Sequence, residues 1–487
     1  MQKTPFAGRI LVLGCGAVSR CFLHLLLRHI DVPGTKVTVL DMVDNRDRIR
    51  RILEMGVTYV TQKITDQNFA TEFAKYVGPG DLLVDLAYNL GCTDLLDWCH
   101  NNNVRYLNTS VELWDPYANA DQQLTTERTL YVRQMAIRRL ISTWSKKKGP
   151  TAILDHGANP GLVSHFTKMG LIQIAEKILK DKPDDPRRGP LEDALRDRSF
   201  PYLAMLTGVK VIHVSERDMQ ISSRPKEVNE FVNTWSVEGL YEEGIAPAEI
   251  GWGTHEQSLP EDARLHRSGP RNQICVAQYG MNTWVRSWVP SGEILGMVIR
   301  HGEAFSISEY LTVYGETRDE FMYRPTVHYA YCPCDAAIAS IHELRMRNYQ
   351  LQPKWRIMDD DIVSGRDELG CLLMGHDYLS WWIGSRLDIN ETRQLVGDSH
   401  NATTLQVAAS VLGALTYMVR NPQEGVLLPD RLPHEEIMAI ALPYLGPIYS
   451  QPVNWMPSNY RDVTNTQMPD YPIADTDPWQ FHRFLVI

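Results

Sequence analysis

The sequence predicts an α/β protein: a Rossmann-type doubly wound parallel sheet with an inserted α+β substrate domain. Three observations predict it. The apolar run Arg9–Gly14 meets the glycine turn GCGAVSR (Gly14–Arg20) and then the amphipathic stretch Cys21–His29. A second apolar run, Lys36–Leu40, ends in the acid Asp41. Apolar runs and helical stretches then alternate as far as Leu107. Strands separated by helices pair in parallel, in a sheet covered on both faces.

The elements can be taken in order. Gly14 permits the tight turn, and Gly16 lets the backbone approach a pyrophosphate, whose charge the helix N-terminus favours. Ser19 stands where the dinucleotide fingerprint has its third glycine, and is small enough for close helix–strand packing. Asp41 accepts from the adenine-ribose hydroxyls and repels a ribose phosphate, so NAD is expected rather than NADP. The alternation continues with helices at Arg46–Met55, Asn68–Tyr76 and Thr93–Asn103, and strands at Val57–Val60, Asp81–Ala87 and Val104–Leu107. In such sheets the ligand lies across the carboxyl ends of the strands. That points to Tyr88, Asn89, Asn108–Ser110 and Glu112. The residues expected at the cofactor are Gly14, Gly16, Ala17, Val18, Ser19, Asp41, Ala87, Asn89, Thr109 and Asn159.

A long helix is expected over Gln122–Lys146, stopped by a lysine trio and Gly149-Pro150. A strand at Thr151–Leu154 leads to the turn Asn159-Pro160-Gly161, placed to bring Asn159 towards the nicotinamide. Lys180–Ser199, charged and proline-rich, reads as a surface excursion. The middle of the chain reads as β-rich. It includes the strand Val209–Val214 with the following SERD (Ser215–Asp218), Phe231–Gly244, TWVRSW (Thr283–Trp288) and Gly296–Val313. The last reads as paired strands with His301 at their turn. Arg366–Gly370 precedes a strand at Cys371–Gly375. Thr403–Arg420 is a periodic helix whose small residues imply close packing on the first domain. Ser458–Asp477 reads as a wrapping tail closed by Trp479, Phe481 and Phe484. The expected domains are residues 1–150 for NAD, 151–395 for substrate and catalysis, and 396–487 for a C-terminal helix and tail packing back on the first.

Composition bounds the function. A chain of 487 residues exceeds one ordinary domain. With 44% hydrophobic and 22% charged residues it is ordinary globular protein. A net charge of -10 argues against general nucleic-acid binding. No run approaches the roughly 20 apolar residues of a membrane helix. Ile10–Cys15 looks like a lipoprotein processing site, but its apolar core is too short for a signal peptide and reads as a strand. The eight cysteines show no disulfide-framework spacing, which suits a cytoplasmic protein. Cys332-Pro333-Cys334 lacks a second pair, so no metal is expected.

FVNTWSVEGLYEEG (Phe231–Gly244) sets Trp235 among Glu238, Glu242 and Glu243 with almost no basic residue nearby in the chain. A ring face attracts a desolvated organic cation by roughly 2 kcal/mol. The carboxylates supply the pairing that a buried ammonium needs. A surface turn with solvated glutamates is the plain alternative.

The chain resembles the bacterial homospermidine synthases of the saccharopine dehydrogenase-like group. The carrying segments are GCGAVSR, NTSVELW (Asn108–Trp114), GANPGLVS (Gly157–Ser164), IHVSERDMQ (Ile212–Gln220), VNTWSVEGL with the following EEG, EIGWGTHE (Glu249–Glu256), YRPTVHYAYCPC (Tyr323–Cys334), RDELG (Arg366–Gly370) and DTDPWQF (Asp475–Phe481). They run nearly end to end. The resemblance implies a tightly bound NAD that is recycled. It takes hydride from putrescine to give an imine, a second putrescine adds, ammonia leaves, and the bound NADH reduces the new imine to homospermidine. It implies that Trp235 holds the cationic intermediate by its ring face, and that Glu216, Glu243 and Asp367 line the amine channel. Glu112 becomes an inner-site acid, Glu238 a further substrate contact, and Asn159 and His301 neighbours of the reacting carbon. A neutral His301 or a glutamate of raised pKa can shuttle the amine proton. Which of Glu242 and Glu243 points inward stays open, with Glu243 aligning better. Use of spermidine also stays open. The expected partners are a diamine and a second copy of the chain, with no nucleic acid and no membrane. The rivals are a net oxidoreductase of the saccharopine or carboxynorspermidine type, and an NAD-binding sensor without catalysis.

Overall fold

The computed structural model describes residues 3–118, 122–317, 320–457 and 477–486. Strands β1 (Ile10–Leu13), β2 (Val37–Asp41), β3 (Thr58–Thr61), β4 (Leu82–Asp85), β5 (Arg105–Asn108) and β6 (Ala152–Ile153) form one parallel sheet in the order β3-β2-β1-β4-β5-β6. The strand Val426–Leu427, from far along the chain, adds in parallel to β6. β1 and β4 are buried at every residue because helices cover both faces. The strand order reverses between β1 and β4, where a doubly wound sheet opens a crevice. Helix α1 (Ala17–His29) starts at that crevice. Helix α2 (Leu130–Thr143) precedes β6, and helix α3 (Leu162–Asp181) leads out of the sheet.

A second, mostly antiparallel sheet is built around β7 (Val211–Asp218). The others are β8 (Pro247–Gly251), β9 (Gln273–Tyr279), the hairpin β10 (Trp284–Val289) and β11 (Gly292–Met297), β12 (Thr326–Cys332), β13 (Arg366–His376), β14 (Leu379–Asp388) and β15 (Ile448–Val453). The main order is β9-β8-β12-β7-β13-β14-β15, with β12 and β7 parallel. Two short helices, α4 (Val237–Gly244) and α5 (Glu303–Tyr310), stand beside it. Helix α6 (Ala402–Arg420) packs against α1 and so joins the later half of the chain to the first sheet.

Several sequence expectations are corrected. Gly296–Val313 is not a strand pair: β11 ends at Met297 and α5 follows from Glu303. Residues 303–308 are all buried, so no polar stripe betrays the helical period. Phe231–Gly244 is strand then helix, because Ser236 Oγ accepts the Gly239 N–H at 2.9 Å and caps α4. SERD and RDELG lie inside β7 and β13 rather than beside strands. The Lys180–Ser199 excursion contains a helix, Arg188–Arg196. The helix expected over Gln122–Lys146 is only Leu130–Thr143, entered by a single turn at Thr125–Arg128. Helix α6 is long and apolar enough to cross a membrane by length and composition. However, 83% of its most apolar window is buried in the protein, as for a core helix. Most of the proposed wrapping tail, residues 458–476, lies outside the described residues. Trp479, Phe481 and Phe484 are buried in a cluster with Trp382 and Trp455.

Candidate active site

The crevice between β1 and β4 has the features of a dinucleotide cradle. Gly14 has φ +82°, and a Cβ there would stand 2.8 Å from the Leu86 carbonyl oxygen. Only glycine fits so close a crossing. Gly16 is the uncapped N-terminal residue of α1, and a Cβ there would meet nothing within 4 Å. The free amides of Ala17, Val18 and Ser19 therefore face room for an anion. Ser19 Oγ is buried and has no hydrogen-bond partner among the described residues. At the end of β2, Asp41 accepts the Cys15 N–H at 2.5 Å and the Val43 N–H at 2.8 Å. Both oxygens keep lone pairs for ribose hydroxyls. Beyond β4, Asn89 takes the left-handed conformation, φ 57°, and its Oδ1 is buried without a partner among the described residues.

A cavity runs from this cradle to the second sheet. Val18, Ala87, Tyr88, Thr109, Ser110, Glu112 and Asn159 line one side, and Glu216, Trp235, Glu243, His301, Tyr329 and Thr403 the other. Asn159 is carried by the turn before α3. Gly161 there has φ +131°, and its missing Cβ would fall on the Gly157 carbonyl. Asn159 Nδ2 donates to Glu216 Oε2 at 2.6 Å, and the Tyr329 hydroxyl donates to the same oxygen. Desolvation pushes the Glu216 carboxyl up to about 7, with the neighbouring Asp218 charge adding to it. The two hydrogen bonds act in the opposite direction. Glu112, whose Oε1 accepts from Ser110, is pushed up to about 8 by desolvation and then by the Glu242 charge. Glu112 Oε2 is buried without a partner among the described residues.

Trp235 forms a half-buried wall. Its indole N–H donates to the Tyr331 hydroxyl at 2.9 Å, which fixes the ring plane. Tyr331 in turn stacks on Tyr329, with centroids 5.1 Å apart. His301 Nε2 lies 2.9 Å from Glu243 Oε2, and its ring sits 4.3 Å from that of Tyr329. Burial opposes a charge on His301, but the Glu243 and Glu303 carboxylates outweigh it and hold the imidazole well above its ordinary range, so it is charged at rest rather than the neutral imidazole expected from the sequence.

Glu242 and Glu243, adjacent in the chain, point to different places. Glu243 lines the cavity. Glu242 accepts from Arg133 Nη2 at 2.7 Å and from Arg300 Nη2. With these arginines it borders a neighbouring cavity, together with Asp115, Tyr117 and Glu127. Burial works against the Glu242 charge, and the Arg300 and Arg133 cations more than offset it, holding the carboxyl below its usual range. The apparent scarcity of basic residues around Trp235 is thus a property of the local sequence only. Folding brings two arginines from distant segments to the acidic helix.

Of the residues singled out in the sequence, Trp235, Glu243, Glu216, Asn159, His301 and Glu112 meet in this cavity, joined by Val18, Ala87 and Thr109. Two do not line it. Asp367 is fully buried behind Thr403, whose hydroxyl donates to it at 2.6 Å. Glu238 sits half-buried in the first turn of α4, where an acid favours the helix dipole. Sequence reasoning missed Tyr329, Tyr331 and Thr403. The tyrosines lie in the quoted YRPTVHYAYCPC segment, and their alternation along β12 was the signal that could have found them.

Comparison with known proteins extends along the same chain. The family model described as saccharopine dehydrogenase NADP binding domain matches residues 10–153, and the saccharopine dehydrogenase C-terminal domain matches residues 157–451. The homospermidine synthase of Blastochloris viridis is 37% identical over 488 residues, covering 98% of this chain and 97% of that protein. That of Mesorhizobium japonicum is 35% identical over 486 residues, covering 98% and 96%. The crystal structure of the homospermidine synthase from Legionella pneumophila in complex with NAD has a TM-score of 0.85 at 35% identity, covering 100% of this chain and 99% of that one. Likeness that spans both sheets and the cavity between them, rather than the cofactor half alone, settles the family: the chain belongs to the homospermidine synthases of the saccharopine dehydrogenase-like group.

Proposed function

We propose that this chain transfers an aminobutyl group between two putrescine molecules, giving symmetric homospermidine and ammonia. One observation carries the reading. A tryptophan face, a carboxyl held by Asn159 and Tyr329, and a histidine–glutamate pair share one cavity with the end of a dinucleotide cradle. NAD, when bound, supplies a hydride acceptor that becomes a hydride donor within the same turnover. Gly14, Gly16, Ala17, Val18, Ser19, Asp41, Ala87, Asn89, Thr109 and Asn159 are the residues that would hold it. The matching family model is described for NADP. The carboxylate at the end of β2 favours NAD instead, since it would repel a ribose phosphate.

The protein's own residues have three tasks. They hold cations: Trp235 offers its ring face, while Glu112 and Glu216 gain charge stabilisation when an ammonium arrives. They take a proton, because a protonated amine has no lone pair with which to form a carbon–nitrogen double bond. Glu216 and the Glu243–His301 pair both stand where they could accept it. They also limit water, since the cavity walls are buried or half-buried side chains and an imine hydrolyses in water. In the overall change, one carbon–nitrogen bond breaks to release ammonia and one forms to the second diamine.

A net oxidoreductase acting on amino-acid imines would need cations for substrate carboxylates. Among the described residues lining the cavity there is no lysine or arginine. The test is incubation of the purified protein with NAD and putrescine. The expected result is homospermidine and ammonia in equal amounts with no accumulation of NADH. Stoichiometric NADH with no triamine would sink the reading. Adding spermidine then shows whether it serves as a donor.

The same reading includes a cytoplasmic homodimer. All eight cysteines are free and buried, which suits a reducing compartment. Trp355, Tyr314 and Met322 leave apolar surface that a second copy would cover.

A further inference from the structure

We propose that Glu303 is a positioning residue that holds the Nδ1 proton of His301, so that Nε2 becomes the atom that takes up and returns the substrate's proton. The proposal rests on the functional reading above and deepens it. Glu303 opens helix α5 and is completely buried. Neither of its carboxylate oxygens has a hydrogen-bond partner among the described residues, and nor does His301 Nδ1. These unpartnered atoms are opposite each other, with Oε1 3.6 Å from Nδ1. That is an ion pair one small shift from a hydrogen bond. A buried carboxylate left without partners is costly, so its position calls for a charge-bearing neighbour. His301 is that neighbour, and its other nitrogen reaches Glu243 in the cavity.

The groups facing His301 come from several elements. Glu243 is on α4 and Glu303 on α5. Tyr329 sets its ring at a tilt against the imidazole from β12 and links to Glu216 on β7. Asp155, after β6, has its carboxylate against Gly302, and Glu303 is among the charges that raise its pKa. Arg300 is turned to Glu242. The acids outnumber the cations, which favours an imidazolium before substrate arrives; an incoming diammonium opposes that charge and frees Nε2 to take the substrate's proton.

The chemistry needs no exit for the proton. Two doubly charged diamines become one triply charged triamine and one ammonium, so the positive charges balance. Each reacting ammonium gives up one proton before its nitrogen can react: the first passes to His301 Nε2 and the second to Glu216 across the cavity, and the two return to the departing ammonia and to the new secondary amine. Each of the two bases stores one proton within a turnover, which agrees with a partner for His301 that is sealed from solvent. Both nitrogens of His301 face a carboxylate, Glu303 at Nδ1 and Glu243 at Nε2, and only the Glu243 side opens on the cavity, so the proton exchanged with substrate is the one on Nε2.

The test compares wild type with Glu303→Gln, both loaded with NAD. Glutamine keeps the shape and removes the charge. The expected loss in kcat is about 100-fold, with the putrescine KM changed by less than about threefold. The acid limb of the kcat profile should move to lower pH, because a weaker base loses its proton sooner. A purely structural role would change neither that limb nor the split between kcat and KM. If the glutamine variant does not fold, nitrogen NMR of histidine-labelled wild type decides: a His301 Nδ1 that carries no proton overturns the proposal. An unchanged kcat and pH profile in the variant also overturns it. A wild type that makes no triamine defeats the functional reading instead, while the NMR measurement still tests Glu303.

Discussion

Glu242 and Glu243 show how far one step along a helix can separate two identical side chains. Glu242 neutralises part of a buried arginine pair, and removing it leaves two cations with nowhere to go. Breaking such a buried cluster costs about 3–5 kcal/mol. Glu242→Ala should therefore lower the denaturant midpoint strongly, while Glu243→Ala, which leaves His301 its second carboxylate Glu303, should lower it less and remove most activity. Chemical denaturation and turnover of the two variants measure this. The pKa shifts make a second prediction. Glu112, raised to about 8, is mostly protonated at pH 7 before a diamine binds, and Glu216, raised to about 7, is partly so. Arriving cations favour the carboxylates, so diamine binding at pH 7 should release protons. The release should fade as pH rises past both values, and part of it should vanish in Glu112→Gln. Calorimetry in buffers of different ionisation enthalpy reads it directly. At this scale the sequence was informative where a residue sits in a distinctive segment, as with Trp235, Glu216 and Asn159. It was silent on Arg133 and Arg300, because their pairing with Glu242 spans long stretches of chain that only folding brings together.

Helix α4 aims Trp235 at the cavity through one absence. A Cβ on Gly239 would stand 2.8 Å from Trp235 Cζ3. Gly239→Ala should push the ring aside, although alanine suits a helix better. The expected result is unchanged or slightly higher thermal stability with activity down about tenfold. Trp235→Ala should lose about 30-fold, the equivalent of roughly 2 kcal/mol of ring–cation attraction, and Trp235→Phe much less. Steady-state rates of the three variants measure this, and equal losses in Ala and Phe would show that the ring only packs. The Rossmann elements were legible because parallel strands and amphipathic helices repeat with clear periods. Helices α4 and α5 were not. Each is a short element of 8 residues flanked by strands. In α5 the first six positions are all buried, so polarity carries no phase.

The two sheets are joined by three covalent crossings: through α3, through α6, and from Leu427 on to β15. Length and composition suggested several domains, and the family match divides the chain between residues 153 and 157. Composition did not reveal that the chain returns to add an edge strand to its first sheet, because Val426–Leu427 is too short to carry a period. Two bodies on one tether can swing apart, as in enzymes that open to exchange cofactor at every turnover. Two bodies laced three times have less freedom to part. A dinucleotide lodged between them should leave slowly, and protein purified by gel filtration should retain it, as absorbance of the denatured supernatant would show. The wider consequence concerns metabolism. An enzyme that keeps its own nicotinamide does not sample the cell's ratio of oxidised to reduced pool, so polyamine output can follow diamine supply while respiration rises and falls around it.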